Sequence, residues 1–220
     1  MIQPEQSVGQ LASTLPGASR VFHRHGLDFC CGGGVSLAEA CSSAGLDVDH
    51  VIAEIQDEAK SAGGFERWDE RSLPDVIDHV LESFHVPHRR ELPRLLALAT
   101  KVEEVHAEKS ACPRGLAAHL ERVGAEMELH MQKEEQVLFP LLRSGQGGMA
   151  AMPIQVMEQE HRDLGEDLKR SRELTGDFTP PADACGTWSA LYLGLAELER
   201  ELMEHIHLEN NVLFPRALAD

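Results

Sequence analysis

An eleven-residue pattern occurs twice and limits the fold more than anything else in the chain. His130-Met131-Gln132-Lys133-Glu134-Glu135-Gln136-Val137-Leu138-Phe139-Pro140 and His205-Ile206-His207-Leu208-Glu209-Asn210-Asn211-Val212-Leu213-Phe214-Pro215 both read H-x3-E-x3-L-F-P. The copies stand 75 residues apart, and His85 and His161, each in the helix preceding a copy, stand 76 apart. Matched spacings imply a duplicated helix pair, with quasi-twofold symmetry about whatever the repeats share. Long helical segments at about 73–107, 113–144, 152–175 and 182–210 fit that reading. A Cys112-Pro113 break, a glycine loop from Ser144 to Gly148 and the stretch from Gly176 to Pro181 separate them. Pro87 and Pro93 are expected to kink or split the first segment. Four helices with short connections make an all-α, up-and-down four-helix bundle.

On an α-helix, positions i and i+4 differ by roughly 40° in azimuth and about 6 Å along the axis. His130 and Glu134 therefore point the same way, and so do His205 and Glu209. Two such pairs facing each other, with His85 and His161 from the remaining helices, give four imidazoles and two carboxylates, a set suited to a dinuclear metal centre. A buried carboxylate needs a compensating charge, which a pair of ions supplies when each Glu bridges them. Imidazole with carboxylate favours iron or manganese over magnesium or calcium; copper or zinc stay open on affinity alone. Six protein ligands for two ions leave positions for water, oxygen or nitric oxide. The competing reading is a solvated His/Glu pair on each helix, worth about a few tenths of a kcal/mol. An isolated H-x3-E favours that reading, and the duplicated context reverses it.

The chain has 220 residues, room for one sizeable domain and a small one. Residues 1–60 read as a small helical domain, 61–72 as a linker opening on Ser61-Ala62-Gly63-Gly64, and 73–220 as the bundle. In the small domain Ser7 caps a run through Leu15, and Pro16 opens a second run closing at Gly26. Ser36-Leu37-Ala38-Glu39 has capping-box spacing for a helix ending near Gly45, and Asp47 or Asp49 caps one more through Lys60. Lys plus Arg number 20 against 37 Asp plus Glu, a net charge of −17 that opposes a nucleic-acid or anionic-membrane partner. No apolar stretch approaches the roughly 20 residues that span a bilayer. Met1-Ile2-Gln3-Pro4-Glu5-Gln6 lacks the marks of a signal peptide, so the expected location is the cytoplasm. Five cysteines are too few and too unevenly placed for a disulfide scaffold, whereas twelve histidines are unusual.

The remaining histidines read differently. His79 and His88 flank His85 as outer neighbours or solvated groups. His106 sits at a helix end suited to a dipole contact. His119 shares a face with His130 about three turns away, as lining or surface, and His207 cannot share the face of His205. His23, His25 and His50 belong to the small domain. Glu126 and Glu160 read as solvated, with an outer or proton-relay role as the alternative. Adjacent Cys30 and Cys31 cannot readily form a relaxed disulfide, and the three glycines that follow allow close backbone approach, which suits redox chemistry or metal transfer. Cys41, Cys112 and Cys185 read as core or surface residues.

These motifs resemble the Repair of Iron Centres family over essentially the full chain. Asp28-Phe29-Cys30-Cys31-Gly32-Gly33 is similar to its N-terminal motif. Ala99-Thr100-Lys101-Val102-Glu103, His130 to Pro140, Val156-Met157-Glu158 with His161, and Leu208 to Ala217 are similar to signatures of its hemerythrin-like bundle. The resemblance implies that His85, His130, His161 and His205 bind two iron ions and that Glu134 and Glu209 bridge them in an oxo- and carboxylate-bridged centre. Oxygen-carrying hemerythrins typically use five histidines, so four place this chain nearer the repair group. The implied function is repair of iron–sulfur clusters damaged by oxidative or nitrosative stress, by iron supplied to damaged or apo iron–sulfur proteins, with Cys30 and Cys31 as relay thiols. Alternatives are reduction of nitric oxide to nitrous oxide at the same centre, a gas- or iron-sensing module, and zinc as the native metal. The sequence carries no hydrolase or transferase motif. Resemblance and the general frequency of twofold oligomers lean toward a homodimer.

Overall fold

A computed structural model describes residues 2–61 and 64–219. Ala62 and Gly63 of the expected linker lie outside the described residues. The chain is an all-α helical bundle; among the described residues the only departure toward β structure is an isolated antiparallel bridge between Ser7 and Ser36.

Short capped helices come first. Helix α1 (Val8–Thr14) opens where the Ser7 hydroxyl accepts the Gln10 N–H, and α2 (Ala18–Arg24) follows Gly17, whose φ of 78° suits glycine. The capping box of Ser36 and Glu39 opens α3 (Leu37–Ala44), which closes on Gly45 in the left-handed conformation. Of the two expected caps for α4 (Val48–Ser61), Asp47 does the work: its Oδ1 accepts the Asp49 N–H at 2.9 Å. A short 3-10 turn, Trp68–Glu70, lies within the stretch expected as linker.

The remaining helices are α5 (Leu73–Val80), α6 (Val86–Val105), α7 (Leu116–Lys133), α8 (Phe139–Arg143), α9 (Gly147–Thr175), α10 (Gly186–Leu208) and α11 (Phe214–Ala219), of which α6, α7, α9 and α10 are long. Several boundaries differ from the sequence reading. Helix α9 begins inside the expected glycine loop, while α7 and α10 begin three and four residues later than expected. The expected break at Pro87 is not a break. The chain passes from α5 to α6 through a π turn, Leu81–His85, closed by Val86 N–H to Leu81 O. The same device joins α7 to α8 over Glu134–Leu138 and α10 to α11 over Glu209–Leu213. Each π turn begins six residues before a proline: Pro87, Pro140 and Pro215. Proline has no N–H for the usual α-helical bond and its ring crowds the carbonyl four residues back. One wider turn ahead of it lets the helix run on, and such turns recur at functional sites.

The chain divides into two compact units: the residues up to Asp78 with Leu142–Ala151 and those from Met203 onward, and His79–Leu141 with Met152–Leu202. The first unit has its own core, in which Val8, Leu11, Val21, Phe22, Phe29, Leu37, Val51 and Ile55 are buried and Met203 packs against them. In the second, buried residues recur at helical spacing: Leu92, Leu95, Ala99 and Val102 on α6; Leu116, Leu120, Val123 and Met127 on α7; Ile154, Met157 and Leu164 on α9. The same stripes hold His130, Glu134 and His161. Polar residues therefore stand where the pattern calls for apolar ones, in positions that desolvate them.

Candidate metal centre

In the second unit His85, Glu134 and His161 are fully buried, and His130 is nearly so. His85 Nε2 lies 3.3 Å and His130 Nε2 3.4 Å from Glu134 Oε2, and the Nε2 atoms of His130 and His161 are 3.2 Å apart. Donor atoms held about 2.1 Å from one ion at angles from octahedral to tetrahedral are roughly 3.0–3.4 Å apart, so these separations are those of atoms sharing an ion. Neither carboxylate oxygen of Glu134 has a hydrogen-bond partner. A buried carboxylate left in that state costs several kcal/mol, which a cation at the converging nitrogens would offset. On this test, the residues present fit a metal.

The far sides of the rings show which nitrogen faces inward. His85 Nδ1 donates to Glu135 Oε1 at 2.8 Å, and His130 Nδ1 to Glu160 Oε2 at 3.0 Å. With Nδ1 carrying the proton, Nε2 of a neutral ring presents its lone pair to the cluster. Burial pushes the Glu135 carboxyl up, yet the bonds from Arg89 and His85 together hold it below the usual range. Glu160 is held at about 2, first by His130 and then by Lys133, against the opposing effect of burial. Glu160 thus has the outer role that the sequence reading ranked second, and Glu135 was missed. No local sequence signal marks Glu135: Arg89, one turn beyond His85, binds both Glu128 on α7 and Glu135 in the π turn that follows it. Glu126 instead pairs with Arg122 near the surface. A cleft of about 500 Å³ between α7 and α9, lined in part by Glu126, Lys133, Glu160, His130 and His161, opens the cluster to solvent.

The first unit carries the second copy. His205 Nε2 lies 3.3 Å from Glu209 Oε1, with both residues buried. Two positions on, the repeats diverge in use. His207 Nδ1 donates to Phe29 O at 3.2 Å, Asn210 Nδ2 donates to Cys30 O at 3.2 Å, and Asn211 Nδ2 lies 3.2 Å from both carbonyls. Burial lowers His207 to about 4, so its ring is neutral at pH 7. Hence the π turn that begins at Glu209 also holds the Cys30-Cys31 loop. Cys30 is buried and its thiol is pushed well above the ordinary range, by the Cys31 thiol first, then by burial and Asp28.

The other histidines of the second unit make different contacts. His119 Nε2 reaches Asp167 O and Ser171 Oγ, each at 3.0 Å, tying α7 to α9. His88 is buried beside Phe84, and His79 Nδ1 lies 3.0 Å from the Ser83 hydroxyl. His106 makes a contact the sequence did not suggest, with Nε2 3.2 Å from Cys185 Sγ. That bond, with the N–H groups of Trp188 and Thr187 at the start of α10, lowers the Cys185 thiol to about 7. The thiolate is the nucleophile, so iodoacetamide at pH 7 is expected to label Cys185 ahead of Cys30, with half-maximal rate near pH 7. His106→Ala should move that midpoint up toward the ordinary value of about 8.5. A midpoint indifferent to His106 would remove the pairing.

Comparison with known proteins gives two family matches. The hemerythrin HHE cation binding domain model matches residues 76–217, and a domain of unknown function (DUF542) matches residues 4–59. A probable iron-sulfur cluster repair protein of Haemophilus influenzae is 44% identical over 97% of both chains. The iron-sulfur cluster repair proteins YtfE of Musicola paradisiaca and of Yersinia pseudotuberculosis are each 47% identical over 97% of this chain and 96% of their own.

Proposed function

This chain belongs to the hemerythrin HHE cation binding family, alongside proteins named for iron–sulfur cluster repair, and from that membership we propose that it repairs damaged iron–sulfur clusters by supplying iron. We assign the iron ligands as His85, His130, His161 and His205, with Glu134 and Glu209 as bridging carboxylates between two ions. The observation that carries the assignment is Glu134: a fully buried carboxylate without a hydrogen-bond partner, within 3.4 Å of imidazole nitrogens from two different helices. When bound, such a centre supplies ferrous ions held by few enough protein atoms to be given up. The chain's own residues do the rest. Glu135 and Glu160 aim the imidazoles, and the cleft between α7 and α9 supplies a path. Its acidic rim favours a cation over an anion. No helix among the described residues is long and apolar enough to cross a membrane.

Cys30 and Cys31 are proposed as relay thiols for the departing iron. Combining Cys30→Ser with Cys31→Ser is expected to leave iron content unchanged while slowing delivery to an apo iron–sulfur acceptor by about tenfold or more. The assay is anaerobic reconstitution of the acceptor's cluster absorbance from iron-loaded protein and added sulfide. Transfer at the parent rate would remove the thiols from the route. No transfer from the parent chain itself would remove iron supply.

A further inference from the structure

Apart from the His/Glu clusters, one group of side chains among the described residues has both the composition and the spacing of a metal site. Asp28, Cys30 and Cys31 each offer a ligand atom, and the three atoms lie within 4.8 Å of one another. The two sulfurs are 3.8 Å apart and no disulfide joins them. Two sulfurs about 2.3 Å from one tetrahedral ion are also about 3.8 Å apart. Asp28 Oδ1 lies 3.3 Å from Cys30 Sγ, close to the roughly 3.3–3.6 Å expected of an oxygen and a sulfur on the same ion. The loop is shaped around this carboxylate: Oδ1 accepts the N–H of Cys30 at 3.1 Å and of Cys31 at 2.9 Å. A side chain at position 32 would crowd it, since a Cβ on Gly32 would come within 3.1 Å of Asp28 Oδ2. Cys30 is buried, Cys31 half-buried and Asp28 exposed, so the three donors open on solvent from one side.

We propose that Asp28, Cys30 and Cys31 form a mononuclear site for a thiophilic divalent cation. Ferrous iron in transit is the cargo the site takes; that identity rests on the iron-supply reading, whereas the site itself does not. Two thiolates and one carboxylate select iron, cobalt or zinc over magnesium and calcium. Binding forms two metal–sulfur bonds, two thiol protons pass to water, and no electron moves. Three protein ligands leave a fourth position for water or for a thiolate of an acceptor protein, the arrangement of a site that passes metal on. Asn210, Asn211 and His207 hold the loop from behind by its carbonyls, which fixes the sulfurs without occupying them.

The test is anaerobic titration of the full, iron-loaded chain with cobalt(II) chloride, read by the sulfur-to-cobalt charge-transfer band and by metal analysis. About one cobalt per chain is expected to bind with that band while the iron stays in place. Cys31→Ser should cut band and affinity together. Asp28→Asn, whose amide oxygen can still accept the two N–H bonds, should keep the band and weaken binding by about ten- to a hundredfold. Absence of the band in the parent chain, or its persistence when both cysteines are serine, would overturn the site, and so would cobalt that enters only as iron leaves. A band retained in His130→Ala protein that no longer delivers iron keeps this site and points the failure at iron supply. Normal delivery without any band does the reverse. If a cysteine variant loses helix content, Asp28→Asn decides.

Discussion

Glu134→Gln protein purified anaerobically will hold less than half the iron of the parent chain, and its thermal stability will move in opposite directions with and without metal. Both outcomes come from one geometry. The Glu134 carboxylate is completely buried, neither oxygen is hydrogen-bonded, and imidazole nitrogens stand 3.3 and 3.4 Å away. With ions present it supplies negative charge where the nitrogens supply none. A neutral amide of the same shape leaves positive charge under-compensated, and metal affinity falls. Binding free energy is linked to folding, so the metal-loaded variant melts below the metal-loaded parent. In metal-free protein the cation that offsets the carboxylate's burial is gone, and a neutral amide of the same shape is cheaper to bury. The exchange should therefore raise the metal-free melting temperature, by about 2–4 °C for each kcal/mol gained in a chain of this size. Calorimetry on both forms checks the crossing, with elemental analysis for iron. Full iron retention would end the bridging assignment; a metal-free variant that melts lower would mean the carboxylate is already compensated. Glu209→Gln should behave the same way if the duplication extends to function.

The repeat made most of this legible. Its i, i+4 spacing places His and Glu on one helix face, and its recurrence with His85 and His161 at matching separations picks out the buried polar positions that the structure also shows as buried. What the repeat hides is backbone. Pro87, two residues beyond His85, reads as a kink or break, because helical periodicity has no term for a wider turn that absorbs the missing N–H. The glycines before α9 mislead for a different reason. Gly147 is small because a Cβ there would drive into the Ala217 carbonyl, so it is a packing glycine that begins a helix and not a loop glycine that ends one. Glu135 escaped because its partners, His85 and Arg89, are some fifty residues away and only tertiary packing brings them to it. The His106–Cys185 pair is hidden in the same way, across 79 residues.

Gly33→Ala will release the dithiol loop and leave the His/Glu clusters alone. A Cβ at Gly33 would lie far inside contact distance of the Asn211 side-chain amide, and a Cβ at Gly9 would do the same from the other side. The two glycines are themselves joined by Gly9 N–H to Gly33 O at 2.9 Å, so neither can retreat without breaking that bond. Asn211 must swing instead, which gives up its approach to the Phe29 and Cys30 carbonyls. Phe29 O keeps His207 and Cys30 O keeps Asn210, so each bond lost from Asn211 costs about 0.5–1.5 kcal/mol, and the two together should make loop opening about tenfold more frequent. Cys30, only 5% exposed in the folded chain, reports that opening directly. Its alkylation by a maleimide should accelerate by about tenfold or more in Gly33→Ala, with iron content unchanged. Asn211→Ala alone should accelerate it as well, and adding Gly33→Ala to Asn211→Ala should add little, because the methyl then has room. A Gly33→Ala chain whose Cys30 stays as slow as in the parent would show that the loop is held by its own turn around Asp28, and that the asparagines of the second repeat contribute nothing to its placement.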